Sequence, residues 1–143
     1  MKRLFWFSFL IFTISILSAC TQPADTMQKQ QSQKAEPQKI NPQQAKEIMD
    51  QGGVTVVDVR TPEEYQQAHI PEAVLVPVDS IAGAAPEARP EKNAVLLVYC
   101  RTGVRSANAA KRLTALGYTK VYDFGGIVDW PYETVAGVDE NDW

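Results

Sequence analysis

The sequence contains two cysteines, one histidine and little net charge, and each shortage narrows the possible functions. A formal net charge of -3 gives the 143-residue chain no general attraction to nucleic acid, so no nucleic-acid partner is expected. No internal repeat is visible, and the length favours a single domain. The two cysteines, Cys20 and Cys100, lie in different surroundings and indicate different chemistry.

The first 19 residues have the pattern of a secretion signal. Met1–Arg3 is basic, and the apolar run Leu4–Leu17 has 14 residues, fewer than the roughly 20 that a membrane span needs. The run leads into Leu17–Cys20 (LSAC), which resembles the lipoprotein box of bacterial signal peptides. The resemblance implies that residues 1–19 are removed and that a lipid on Cys20 attaches the protein to a membrane. An ordinary secretion signal and an uncleaved helical anchor remain the alternatives.

The segment that follows has the composition of a linker. Residues 21–39 are rich in Gln and Lys and contain a single methionine as their one sizeable apolar side chain, too little to offset the entropy of ordering. We therefore predict a lipidated cysteine and flexible tether over residues 20–39 and one folded domain over residues 40–143. The domain has nine Lys and Arg against fifteen Asp and Glu, so two arginines close after Cys100 stand out.

Helix and strand patterns alternate through the domain. Apolar, β-branched runs predict strands at residues 54–60, 73–78, 93–100 and 120–124. Capping residues, prolines and glycines predict helices at residues 41–53, 61–70, 79–88 and 103–118, and a short one after the glycine turn within 125–133. This order predicts an α/β fold with a parallel sheet. Ligands of such sheets bind beyond the carboxyl ends of the strands, and Cys100 ends the most apolar strand.

The loop after that strand, Cys100–Arg105 (CRTGVR), has the composition of an anion-binding turn. Backbone N–H groups of a strand-to-helix loop point into one concavity, and the helix dipole adds positive potential. Gly103 permits backbone angles that a side chain forbids, while Arg101 and Arg105 add fixed charge. A thiolate is stabilised there, which predicts a reactive Cys100 suited to nucleophilic catalysis. The alternative is a buried cysteine beside two solvated arginines.

The spacing in this loop separates two classes of cysteine enzyme. Cysteine phosphatases place five residues between cysteine and arginine, whereas four lie between Cys100 and Arg105, and Ser106 occupies the phosphatase arginine position. The smaller cradle disfavours a phosphatase or arsenate reductase and favours sulfur transfer.

Three motifs together resemble a single-domain rhodanese, a sulfurtransferase, over residues 40–133. They are residues 56–77 (VVDVRTPEEYQQAHIPEAVLVP), 98–118 (VYCRTGVRSANAAKRLTALGY) and 121–130 (VYDFGGIVDW). The resemblance implies a five-stranded parallel sheet with helices on both faces. It also implies that Cys100 takes a sulfane sulfur from a donor such as thiosulfate, carries it as a persulfide, and passes it to cyanide or a thiol. No metal or organic cofactor is expected.

The resemblance assigns roles to the residues of the loop. Cys100 is the catalytic nucleophile, and the loop backbone would hold the outer sulfur of the persulfide. The two loop arginines would attract and orient an anionic donor. The predicted substrate-binding residues are Arg101, Thr102, Gly103, Val104, Arg105 and Ser106.

Residues outside the loop are assigned supporting roles. Asp58 and Arg60 match a family ion pair near the active loop, and Glu64 matches an acidic residue that is structural or a surface charge. His69, the only histidine, is expected to be structural rather than a catalytic base. Gly125, Gly126 and Trp130 match a turn and a packed aromatic. Glu72 replaces the family's glycine and would be strained if the turn requires a positive φ.

Two further questions stay open at the level of the sequence. The domain is expected to be a monomer that turns over a small sulfur-containing anion. A docking module and a persulfide carrier for a protein partner are the alternatives, although an intact Cys100 loop opposes a docking module. The lipoprotein signal predicts an extracytoplasmic location. Thr21 after the lipidated cysteine resembles the pattern for outer-membrane sorting, which faces the periplasm in a bacterium with two membranes.

Overall fold

A computed structural model of the chain describes residues 35–81 and 91–137. The predicted signal peptide, the lipidation site Cys20, most of the tether and all but the first three residues of the helix predicted at 79–88 lie outside the described residues. No helix in the described ranges is long and apolar enough to cross a membrane.

Strands and helices alternate along the described chain as the sequence predicts. The strands are β1 (Gln38–Lys39), β2 (Val54–Asp58), β3 (Val74–Leu75), β4 (Val95–Cys100) and β5 (Lys120–Gly126). The helices are α1 (Pro42–Gln51), α2 (Pro62–Gln67) and α3 (Val104–Ala115), with short 3₁₀ helices at Val78–Ser80 and Ile127–Asp129.

All five strands pair in parallel in the order β1-β5-β4-β2-β3, which confirms the predicted α/β fold with a five-stranded parallel sheet. One boundary differs from the prediction. The tether was expected to reach residue 39, but Gln38 and Lys39 form the edge strand β1 and pair with Tyr122 and Asp123. The Ile40 N–H continues this pairing to the Asp123 carbonyl at 3.0 Å.

Alternating side chains of the central strand β4 supply two separate cores. Leu96, Val98 and Cys100 point to the face that α3 covers, and Leu97 and Tyr99 point to the face that α1 and α2 cover. All five are almost completely buried. The strand is therefore apolar at every position because both of its faces are covered.

Two helices begin with the capping pattern that the sequence predicts. Asn41 caps α1 and Thr61 caps α2, and each forms a complete capping box with the residue three positions later, Gln44 and Glu64. A proline follows each cap at the first helical position, where its missing N–H costs nothing.

The last strand differs from its prediction because of a bulge. The sequence predicts a strand end at Phe124 and a turn at the two glycines that follow. In the structure β5 continues to Gly126, and the pairing with β4 shifts so that Tyr99 faces Gly125. Gly125 has φ +93°, an angle that glycine adopts without strain. The bulge inserts one residue, Phe124, and brings Gly126 beside Cys100.

Glu72 occupies the turn where the sequence analysis noted a missing glycine. Its φ is +61°, and among the described residues it is the one non-glycine with a positive φ. The turn therefore requires the left-handed conformation that glycine favours, and glutamate adopts it at a local cost of about 1 kcal/mol. The side chain is exposed, and the turn lies outside the loop that follows Cys100.

Candidate active site

Cys100 is the last residue of β4, and its side chain lies under the loop that leads into α3. Only 1 % of the residue is exposed. The Gly103 N–H donates a hydrogen bond to Sγ at 3.1 Å, because Gly103 has φ +93° and turns its backbone over the sulfur. The thiol therefore lies at the amino end of α3, where the helix dipole favours a negative charge.

Opposing effects set the pKa of the Cys100 thiol. Burial raises the pKa, but hydrogen bonds from Ser106, Thr102 and Gly103 lower it more, so the net pKa lies below its usual value. The backbone N–H groups are donors that already point at the sulfur, and they stabilise the thiolate without a general base.

The loop residues divide into exposed and buried groups. Arg101 and Thr102 are exposed, and Val104 is 77 % exposed although it is apolar. Gly103 and Arg105 are half-buried, and Ser106 is fully buried. The structure therefore brings all six predicted binding residues around Cys100, but their side chains cannot all contact a donor.

Ser106 hydrogen-bonds Cys100 and also anchors the loop to β5. Its hydroxyl lies 2.7 Å from Asp123 Oδ1, and the same carboxylate oxygen accepts the Gly125 N–H at 3.1 Å. Asp123 is buried and holds both the start of α3 and the bulged end of β5. None of the sequence motifs singles out Asp123, although an acidic residue within the apolar run of the last strand is an unusual feature.

Position 126 requires a glycine because the backbone of the Cys100 loop passes too close to it to leave room for a side chain. A Cβ at this position would lie 2.4 Å from the Arg101 carbonyl oxygen and 2.7 Å from Thr102 Cα. Its φ is -115°, so the requirement comes from the backbone contact and not from conformation. The sequence places Gly126 in a turn, and this contact shows that it also packs directly against the loop.

Replacing Gly126 with alanine should displace the loop and lower the sulfur transfer that the resemblance implies about 100-fold, since a shift of about 1 Å in reacting groups costs that much. Initial rates with thiosulfate and cyanide measure the effect. Gly117→Ala is the matched control, because its Cβ meets nothing within 4 Å and only its positive φ is strained. That variant should lose about 1 kcal/mol of stability and keep its activity. Equal activity losses in the two variants would contradict this role of Gly126.

Arg105 forms a two-pronged ion pair with Glu64 of α2. Nη1 and Nη2 donate to the two carboxylate oxygens at 2.6 and 2.7 Å. The hydrogen bond from Arg105 lowers the pKa of Glu64 to about 2, and the same bond raises the pKa of Arg105. Arg105 also interacts electrostatically with Cys100. Glu64, expected to be structural or a surface charge, is thus joined to the active loop.

Asp58 and Arg60 form the buried ion pair that the sequence analysis predicts. Arg60 Nε lies 2.9 Å from both carboxylate oxygens, and Nη2 lies 2.5 Å from Oδ2 and 2.6 Å from the Ala68 carbonyl. Burial lowers the pKa of Arg60, but the bond to Asp58 more than offsets this and raises it. The guanidinium also lies over the Tyr99 ring, and burial raises the pKa of Tyr99 well above its usual range. The pair therefore joins β2, the end of α2 and β4.

His69 has the surroundings of a structural residue. The ring is 3 % exposed, stacks on Tyr65 at 3.7 Å, and its Nδ1 lies 3.0 Å from the Tyr65 carbonyl. Its backbone pairs with Val135 in both directions. The described residues contain no cluster of three or more His, Cys, Asp or Glu side chains that could hold a metal ion.

The fold agrees with comparisons with known proteins. A family model described as "Rhodanese-like domain" matches residues 41–132, so the chain belongs to the rhodanese-like domain family. Thiosulfate sulfurtransferase PspE of Escherichia coli is 38 % identical over 81 residues, which cover 57 % of this chain and 78 % of that protein. Thiosulfate sulfurtransferase GlpE of Pseudomonas syringae is 39 % identical over 99 residues, or 66 % of this chain and 91 % of that protein.

Solved structures show the same relationship. A structure described as "rhodanese with anions from E. coli" is 37 % identical with a TM-score of 0.54, and the match covers 58 % of this chain and 98 % of that chain. A rhodanese-like domain protein from Staphylococcus aureus is 32 % identical with a TM-score of 0.61, over 71 % of this chain and 99 % of that one. Relatives named as thiosulfate sulfurtransferases place the chain in a family of rhodanese sulfurtransferases.

Proposed function

We propose that this protein is a sulfurtransferase that moves a sulfane sulfur through a persulfide on Cys100. The donor is a small sulfur-containing compound such as thiosulfate, and the acceptor is cyanide or a thiol. The observation that carries the proposal is the buried Cys100 sulfur, which receives a hydrogen bond from Gly103 N–H at 3.1 Å and has a lowered pKa.

The proposed reaction divides into two half-reactions at the same sulfur. The Cys100 thiolate attacks the outer sulfur of thiosulfate, an S–S bond to Cys100 forms, and the S–S bond of thiosulfate breaks with its electron pair leaving on sulfite. An acceptor then attacks the outer sulfur of the persulfide and Cys100 leaves as a thiolate. The loop N–H groups stabilise the negative charge in both states, so no metal or cofactor is needed.

Steady-state kinetics with thiosulfate and cyanide test this function. We expect thiocyanate to form with double-displacement kinetics, because the sulfur passes through a covalent intermediate. Double-reciprocal plots of the rate at different cyanide concentrations should then be parallel. If no donor leads to thiocyanate, the protein does not transfer sulfur to cyanide, and a docking module without turnover would replace this proposal. Turnover only when a protein thiol is the acceptor would favour the carrier alternative.

The lowered pKa of Cys100 predicts how its reactivity changes with pH. Alkylation requires the thiolate, so its rate should follow the ionisation of Cys100. The rate should reach half its maximum at a pH below the usual thiol pKa of about 8.5, and it should be lost as the pH falls through this lowered pKa. Iodoacetamide alkylation followed by peptide mapping measures the midpoint at Cys100. The same cysteine in the urea-unfolded chain is the control and should titrate near 8.5. Equal midpoints in the two states would show that the loop does not activate the thiol.

We also propose that a lipid on Cys20 attaches the protein to an extracytoplasmic membrane surface, facing the periplasm in a bacterium with two membranes. The support is the LSAC box and the apolar run before it. Expression of the full chain in a bacterium, followed by mass spectrometry of the N-terminal peptide, tests this. A lipidated peptide beginning at Cys20 is expected, and Cys20→Ser should release the protein from membranes. A soluble, unmodified wild-type protein would contradict the proposal.

A further inference from the structure

The charge of one loop arginine is neutralised by a residue outside the loop. Arg105 commits two of its five N–H donors to Glu64, at 2.6 and 2.7 Å, and the pair has no net charge. About a quarter of the Glu64 side chain and a third of the Arg105 side chain remain exposed, and Arg105 interacts electrostatically with Cys100, so the pair is partly open to solvent and close to the sulfur. A dianion that approaches Cys100 therefore meets the repulsion of Glu64 together with the attraction of Arg105.

The remaining charge around the loop is small. Arg60 is held by Asp58, and Arg101 is exposed with no ion pair among residues 35–81 and 91–137. One uncompensated arginine therefore remains beside the backbone N–H groups, whereas the sequence alone predicts two.

The rim of the loop is also apolar in two places. Val104, at the start of α3, is 77 % exposed, and Val128 is 61 % exposed. The Val128 N–H donates to the Arg101 carbonyl at 3.3 Å, which holds the backbone of Val128 against the loop. Exposed valines offer contact area to an organic group and none of the hydrogen bonds that a sulfonate needs.

We infer that Glu64 is a specificity-determining residue, which biases the site toward organic persulfides that carry at most one negative charge and away from dianionic thiosulfate. The inference rests on the proposed function and specifies its donor. In the donor half-reaction the Cys100 thiolate attacks the outer sulfur of R–S–SH. The new S–S bond forms as the donor S–S bond breaks, the proton stays on the transferred sulfur, and R–S⁻ leaves with the electron pair. Both kinds of donor thus produce the same Cys100 persulfide.

Glu64→Gln in the full chain isolates the charge of this residue. Glutamine keeps an oxygen for Arg105 and for the capping box, in which Glu64 accepts the Thr61 N–H at 3.2 Å. The measurement is kcat/KM for thiosulfate and for the persulfide of 2-mercaptoethanol, whose organic part is uncharged. Under double-displacement kinetics each value reports only the donor half-reaction.

We expect Glu64→Gln to raise kcat/KM for thiosulfate on the order of fivefold, because one repulsive charge near a dianion is removed, and to change kcat/KM for the persulfide less than twofold. The gain should shrink as ionic strength rises. Glu63→Gln is the matched control, because Glu63 is a fully exposed neighbour in the same helical turn and is absent from the ion pair with Arg105. That control should leave the ratio of the two donors unchanged, and Glu64→Asp should keep the wild-type ratio.

The outcomes separate this inference from the proposed function. Equal changes for both donors in Glu64→Gln would show a structural role and overturn the inference, as would the same change in Glu63→Gln. In either case wild-type turnover would leave the proposed function standing. A wild-type protein that uses neither donor, by contrast, would refute the proposed function itself.

Discussion

Replacing Cys100 with serine should abolish sulfur transfer from thiosulfate to cyanide, with a loss of at least about 1,000-fold. Serine keeps the size and position of the side chain, but its hydroxyl stays protonated at working pH and forms no persulfide. Hydrogen bonds of the kind that Gly103 donates to Sγ at 3.1 Å lower the pKa of a thiol from its usual value of about 8.5, but they cannot ionise an alcohol. Initial-rate assays of thiocyanate formation measure the loss.

The interpretation depends on an intact fold in the serine variant. Cys100 belongs to the core that α3 covers, so a small loss of stability is expected from the more polar hydroxyl. Circular dichroism and urea unfolding monitor this. A folded Cys100→Ser protein that keeps a tenth or more of wild-type turnover would show that another group carries the sulfur.

Removing Asp58 should cause the largest loss of stability among substitutions near the site, about 3–5 kcal/mol. The carboxylate is fully buried and accepts hydrogen bonds from the backbone and the guanidinium of Arg60. In Asp58→Ala the Arg60 guanidinium, which is 5 % exposed, would still donate to the Ala68 carbonyl but would have no negative charge beside it. A loss of this size is a large share of the roughly 5–15 kcal/mol that typically holds a domain folded.

Urea unfolding of the wild type and of Asp58→Ala measures this difference. Asp50→Ala is the matched control, since Asp50 is paired with Lys46 on the exposed surface of α1 and its loss should cost no more than about 0.5 kcal/mol. If Asp58→Ala were no more costly than Asp50→Ala, the buried ion pair would not be what joins β2, α2 and β4.

The sequence predicts the parts of this protein that depend on local patterns. A continuous apolar run ending at Cys100 indicates a central strand with both faces covered, and the structure confirms the parallel sheet. Asn41 and Thr61 predict the starts of α1 and α2, because a capping residue followed by proline acts within one helical turn. The missing glycine at Glu72 indicates local strain, which the φ of +61° confirms.

The parts that the sequence does not reveal depend on contacts between distant segments. Glu64 and Arg105 are 41 positions apart, so their pairing follows from how α2 packs beside the loop. The edge strand β1 has two residues, too few for a periodic pattern, and it is a strand because β5 offers a free edge. Gly126 looks like an ordinary turn glycine until the bulge at Phe124 brings it beneath the Arg101 carbonyl.

The charge of the site depends on one of these contacts between distant segments. The loop sequence alone predicts two arginines available to an anion, whereas the structure leaves Arg101 available and neutralises Arg105 with Glu64. A residue of α2 that the loop motif does not contain therefore sets how much positive charge the loop offers to an anion.

Persulfide formation at Cys100 is tested most directly by the intact mass of the full chain before and after thiosulfate, with peptide mapping to locate any change. We expect a gain of one sulfur atom on the peptide that contains Cys100, its removal by cyanide, and no gain on that peptide in Cys100→Ser. A wild-type Cys100 that stays unmodified by thiosulfate and by an organic persulfide, yet is freely alkylated by iodoacetamide, would contradict the account.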